Sequence, residues 1–135
     1  MEKLINILLV EDDQLDAIDI RRSLDKMKIF YHLNIAKNGE EALELLQREN
    51  PVHPDVALID INMPKMNGLE LLSILRNDER WKDLKCFIIT TSDEKVDREA
   101  AKQLGVSGYI IKPLKLNNAT SIDAFNLMID LMNMK

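Results

Sequence analysis

The stretch LIDINMPKMNG, Leu58 to Gly68, starts as the end of a buried strand and then sets Asp60 where an apolar residue would be expected. Near the start of the chain, INILLVEDD has five apolar residues, broken only by Asn6, before it ends in Glu11, Asp12 and Asp13. Two apolar runs that both stop at carboxylates raise the question of what gathers acids at strand ends.

Outward from these runs, short β-rich stretches alternate with segments of helical period, with no low-complexity linker and no internal repeat. The strand candidates are Leu4–Val10, His32–Ala36, Asp55–Ile59, Cys86–Thr90 and Ser107–Ile111. The first intervening segment puts Ala17, Ile20, Leu24 and Met27 on one stripe at a 3.6-residue period, a face that should lie on the sheet. Asn38-Gly39, Asn67-Gly68, Gly105 and Gly108 punctuate the turns, Pro51 and Pro54 bracket a loop, and the two Asn-Gly pairs precede helices rather than hairpin strands. Strands separated by helices run parallel through right-handed crossovers, which leaves helices on both faces of the sheet. The expected architecture is therefore α/β, a flavodoxin-like doubly wound (βα)5 with a five-stranded parallel sheet, whose ligands bind beyond the carboxyl ends of the strands.

A chain of 135 residues suits one domain, residues 1–135, and can bury roughly two-thirds of its unfolded surface. The net charge of -5 argues against a nucleic-acid partner, which would call for a basic patch. Cys86 is a single cysteine without an internal partner, read as a small core hydrophobe in a reducing compartment. No apolar stretch has the length of a signal peptide or a membrane span, so the expectation is a cytoplasmic protein with no membrane partner.

Glu11 and Asp12 follow the first strand, Asp60 the third, Thr91 and Ser92 the fourth, and Lys112 the fifth, so all converge on one sheet edge. Asp13 reads as an ordinary helix cap. For the rest, two carboxylates about 4 Å apart repel by roughly 4 kcal/mol at an effective dielectric near 20, a large share of a domain's stability of about 5–15 kcal/mol. A cation offsets that cost, and an all-oxygen set with no Cys or His favours Mg²⁺.

In this order and spacing, VEDD (10–13), LIDINMPKMNG (58–68), ITTSDE (89–94) and GYIIKP (108–113) resemble the receiver domain of two-component response regulators over almost the whole chain. TTSD and EDDQLDA are similar to the single-domain regulators associated with phytochrome-type kinases. The resemblance implies that Asp60 accepts a phosphoryl group from a phosphohistidine on a sensor histidine kinase or phosphotransfer protein, in a phosphorelay. It implies Asp12 as a direct Mg²⁺ ligand, Glu11 as a ligand through water, and the Asn62 carbonyl together with Asp60 completing the set. Lys112 would supply a cation to the phosphoryl oxygens and Thr91 a hydroxyl, with Tyr109 turning inward as Thr91 moves. Pro113 would orient Lys112, with a cis bond as in the family. Such a protein phosphorylates itself and loses the group by itself; it is not an enzyme acting on a separate substrate.

An aspartyl-nucleophile phosphatase would share Asp and Mg²⁺, but its nucleophile follows the first strand. A flavodoxin would carry a Ser/Thr/Gly-rich loop where this chain has VEDDQLD. His32 and His53 show no paired spacing, and Trp81 reads as a loop anchor. No effector motif follows Lys112, so the expected output is protein contact through the face formed by the fourth helix, fifth strand and fifth helix. The last helix, expected from near Thr120, carries one stripe of Ile122, Phe125, Ile129 and Met132, assigned to the core. A second stripe of Leu127, Met128, Leu131 and Met134 is assigned to a homodimer or partner surface.

Overall fold

The computed structural model describes residues 3–116 and 121–134. Five strands, β1 (Leu4–Val10), β2 (Phe30–Ala36), β3 (Val56–Ile59), β4 (Cys86–Thr90) and β5 (Gly108–Ile111), alternate with five helices, α1 (Gln14–Asp25), α2 (Gly39–Gln47), α3 (Gly68–Arg76), α4 (Lys95–Gln103) and α5 (Ile122–Met134). The strands form one sheet in the order β2-β1-β3-β4-β5, and all four pairings are parallel. This is the doubly wound flavodoxin-like fold expected from the alternation. The helix start expected near Thr120 lies outside the described residues.

β3 and β4 are buried at every position, as continuous apolar runs covered on both faces must be. One core, with Ile7, Leu9, Leu58, Phe87 and Ile110 at its centre, is closed by Ala17, Ile20 and Leu24 of α1 and by Leu127 and Leu131 of α5. The other, with Leu8, Val10, Ile59 and Ile88, is closed by Ala42 and Leu46 of α2, Leu71, Leu72 and Leu75 of α3, and Ala101 of α4. Met27 packs against the first core from just beyond α1.

Strand ends differ slightly from the sequence reading. β2 begins two residues earlier, because Phe30 and Tyr31 pair with Leu4 and Ile5 along the whole edge. Asp55 and Ser107 stand just outside their strands; Asp55 Oδ2 accepts from the Asn6 amide at 2.8 Å, pinning the entrance to β3.

The larger difference is in α5. Leu127 and Leu131 are fully buried and Met128 and Met134 pack against the core, whereas Ile122, Phe125, Ile129 and Met132 are 75%, 48%, 39% and 37% exposed. The two stripes assigned from the sequence are thus exchanged. The cause lies at the first turn: Asp123 Oδ2 accepts from the Tyr109 amide at 3.1 Å, and the Asp123 Cβ sits against Gly108. Those contacts set the rotation of the helix and turn Leu127 and Leu131 under the sheet.

Among the described residues no helix is long and apolar enough to cross a membrane.

Candidate functional site

Glu11, Asp60 and Lys112 stand one residue past β1, β3 and β5, yet their backbones remain in the sheet's hydrogen bonding. The Glu11 amide donates to Ala36 O at 2.9 Å, Asp60 to Val10 O at 3.0 Å, and Lys112 to Thr90 O at 2.9 Å. Each side chain therefore leaves a rigid backbone at the carboxyl edge, where the β1-β3 neighbourhood brings Glu11 and Asp60 side by side.

The loop after β3 folds back on Asp60. Asn67 caps α3 by accepting from the Glu70 amide, Glu70 answers to the Asn67 amide, and the Gly68 amide donates to Ile61 O. A Cβ on Gly68 would lie 2.2 Å from the Asp60 carbonyl oxygen, so only glycine allows the helix to start there. Asn38 caps α2 by accepting from the Glu41 amide, and Asp13 caps α1 by accepting from the Asp16 amide. Both Asn-Gly pairs thus start helices, and Asp13 is the cap it was read as.

Lys112 occupies the centre. Its side chain is 10% exposed, and the Lys112–Pro113 peptide is cis. Nζ donates to Asp16 Oδ2 at 2.7 Å and to Asp60 Oδ2 at 2.9 Å. It also lies 2.6 Å from Glu11 Oε1, a buried ion pair that draws the third carboxylate onto the same ammonium. Burial works against the Lys112 charge, but Asp16, Glu11 and Asp60 outweigh it and raise its pKa. Burial pushes the Glu11 carboxyl up from 4.5 to about 7, against the opposing pull of Lys112.

Glu11, Asp12 and Asp60 each bring a carboxylate oxygen within 4.8 Å of the others, with Glu11 and Asp60 buried and Asp12 exposed. The Asn62 amide donates to Asp60 Oδ1 at 3.2 Å, fixing that carboxylate from the loop side. An all-oxygen, carboxylate-rich group of this kind suits a hard divalent cation.

Thr90 ends β4 and Thr91 follows it. Thr91 is exposed and lines a hollow with Asp16, Lys112 and Pro113. Thr90 is fully buried, and its Oγ1 accepts from the Ser92 amide at 3.3 Å. Alternation puts Thr90 on the Ile88 face, the face that also carries Tyr109. Tyr109 is 7% exposed and donates from its hydroxyl to Ser92 O at 2.8 Å, with the Arg98 guanidinium 4.8 Å above its ring. Sequence reasoning passed over Thr90, although the period-two parity of Cys86, Ile88 and Thr90 distinguishes it. It also passed over Asp16, whose place near the start of a helix reads as an unremarked surface acid.

The remaining residues behave as ordinary structure. Cys86 is buried. Trp81 is 7% exposed and donates from Nε1 to Leu46 O at 3.1 Å, anchoring its loop; exposed His53 rests beside its ring. His32 is exposed on β2.

The sequence matches the response regulator receiver domain over residues 7–122. It is 34% identical to the transcriptional regulatory protein DegU of Brevibacillus brevis over 113 residues, 84% of this chain and 46% of DegU, so the chain spans about half the length of that relative. It is 32% identical over 116 residues to response regulator Rcp1 of Synechocystis sp., covering 83% of this chain and 79% of Rcp1. The solved Mn²⁺-bound form of Rcp1 superposes with a TM-score of 0.78 at 29% identity, over 96% of this chain and 92% of that one. The bacteriophytochrome response regulator AtBRR superposes with a TM-score of 0.78 at 27% identity, over 98% and 95%. With its acids, lysine and hydroxyls at the carboxyl ends of a five-stranded parallel sheet, the chain belongs to the response regulator receiver domain family of two-component systems.

Proposed function

We propose that the chain accepts a phosphoryl group on Asp60 from a phosphohistidine of a sensor histidine kinase or phosphotransfer protein, and signals by protein contact. The observation that carries this reading is the setting of Asp60. It is 5% exposed, bonded to Lys112 Nζ at 2.9 Å, and grouped with Glu11 and Asp12. In the transfer an Asp60 oxygen forms a bond to phosphorus while the phosphorus–nitrogen bond to the donor imidazole breaks, its electron pair staying on that nitrogen. Lys112 donates N–H bonds to the phosphoryl oxygens. Glu11, Asp12, Asp60 and the Asn62 carbonyl would hold Mg²⁺, and the all-oxygen grouping of the three carboxylates within 4.8 Å supports that fit. When bound, the ion supplies positive charge that offsets repulsion between the acids and the incoming group.

The hydroxyl role expected of Thr91 fits Thr90 better, because Thr90 shares a face with Tyr109 and with the Ser92 carbonyl that Tyr109 holds. A phosphoryl group adds about -1.5 to -2 charges, enough to bias the β4–α4 loop and the α4–β5–α5 face. On that face the exposed stripe of Ile122, Phe125, Ile129 and Met132 is the surface for a partner or a second copy. The unpaired Cys86 and the acidic balance fit a cytoplasmic setting without a nucleic-acid partner. The aspartyl-phosphatase alternative finds no support, since the buried reacting acid follows β3 and not β1.

Acetyl phosphate with Mg²⁺ should add one phosphoryl mass to the protein and none to Asp60→Ala. Undiminished labelling of that variant would refute the assignment. Thr90→Ala, rather than Thr91→Ala, should leave the protein phosphorylated but without the accompanying change at Tyr109.

A further inference from the structure

Asp16 belongs to none of the strand ends that supply the phosphoacceptor site; it stands in the first turn of α1, three residues past the cap Asp13. Its Oδ2 nevertheless accepts from Lys112 Nζ at 2.7 Å, closer than Asp60 at 2.9 Å. An ammonium group has three donors. Two go to Asp16 and Asp60, and Glu11 Oε1 lies 2.6 Å away as a third partner. Asp16 thus shares Lys112 with Glu11 and Asp60, at 2.7 Å against 2.6 and 2.9 Å. Two of these partners differ in what they lose. Glu11 has a side chain 1% exposed, while Asp16 is 36% exposed and can exchange Lys112 for solvent. A partner that releases at little cost can hold a lysine before a reaction and yield it afterwards.

On the reading of Asp60 as phosphoacceptor, we infer that Asp16 is a positioning residue that restrains phosphoryl transfer by holding Lys112 and by setting a negative charge beside the place the phosphoryl oxygens must occupy. Asp16 and Asp60 bond the same nitrogen, so their oxygens lie within two hydrogen-bond lengths of each other. With acetyl phosphate as donor, an Asp60 oxygen bonds to phosphorus, the bond from phosphorus to the acetate oxygen breaks, and acetate leaves with the electron pair. The transferred oxygens then need the Lys112 N–H that Asp16 holds, and they meet its charge. Asp16→Asn removes the charge while keeping shape and an acceptor.

The test compares wild type, Asp16→Asn and Asp16→Glu in Mg²⁺, following acetyl phosphate labelling by intact mass and beryllofluoride affinity by calorimetry. Asp16→Asn should label roughly fivefold faster at low salt, the scale of a partly exposed charge pair. It should bind beryllofluoride more tightly, and both gains should shrink in high salt. Asp16→Glu should restore the wild-type rate, which a merely structural role for Asp16 would not require. Labelling of Asp16→Asn at or below the wild-type rate, with unchanged beryllofluoride affinity, overturns the inference alone. A wild-type protein that takes no phosphoryl group at Asp60 overturns the phosphoacceptor reading, and this inference with it.

Discussion

Replacing Lys112 with methionine keeps much of the side chain's length and deletes its charge. The ammonium has Glu11, Asp16 and Asp60 oxygens at 2.6, 2.7 and 2.9 Å, and the Glu11 and Asp60 side chains are 1% and 7% exposed. Removing one partner from a buried ion pair costs about 3–5 kcal/mol. Exposed Asp12 and half-open Asp16 admit solvent, so the lower end, about 3 kcal/mol, applies to the metal-free protein. For a domain of this size that is a fall of roughly 10 °C in melting temperature. The pH dependence has a definite sign. Burial holds the Glu11 carboxyl near 7 in the folded chain, above its ordinary 4.5, so the penalty for ionising it is absent below 4.5 and complete above 7. Lys112 pulls that value down and, with its own pKa raised, stays charged throughout this range. Without it the Glu11 penalty extends to higher pH, and the gap between wild type and Lys112→Met should widen from pH 6 to pH 8.5. Urea unfolding in EDTA at both values measures the gap, and adding Glu11→Gln to Lys112→Met should recover about 1 kcal/mol or more. A gap below about 1 kcal/mol near pH 8.5, or one that does not grow with pH, would refute the account of Lys112 as the counter-charge of the site.

Three further outcomes are expected. Gly68→Ala should destabilise the fold by about 2–3 kcal/mol and slow labelling of Asp60, because the new Cβ meets the Asp60 carbonyl; chemical unfolding and intact mass measure the two effects. Leu131→Glu should unfold the protein in circular dichroism, whereas Phe125→Glu should leave it folded and weaken self-association or kinase binding in sedimentation. Burial, together with the Asp25 carboxylate that accepts its hydroxyl proton, pushes Tyr31 up to about 12. The folded chain thus keeps a proton that the unfolded chain releases, so stability should fall as pH rises from about 10 to about 12, and Asp25→Asn should lower the tyrosinate midpoint seen by ultraviolet absorbance.

Much of this protein is written in local patterns. β4 and the second half of β1 are readable because strands buried on both faces are near-continuous apolar runs, and a carboxylate or lysine at the end of such a run is conspicuous. Glu11, Asp12, Asp60 and Lys112 are therefore legible as a group in the sequence. β2 was less legible at its start, since an edge strand half open to solvent carries a weaker pattern. Thr90 and Thr91 are adjacent hydroxyls on opposite faces, and only strand parity separates them.

Other features depend on contacts between distant segments. Two stripes of α5 satisfy the same helical period, and the choice between them rests on Asp123 meeting the Tyr109 amide and on Leu127 and Leu131 meeting the core around Phe87. Parallel strands joined by helices do not by themselves dictate that β1 lies between β2 and β3, yet that order places Glu11 beside Asp60. Asp16 and Lys112 are 96 positions apart, and nothing in either neighbourhood announces the other. Periodicity and strand-end chemistry are short-range properties and survive in a linear sequence. Rotational phase, strand order and the sharing of one ammonium among three carboxylates arise only when the packed sheet brings those segments together.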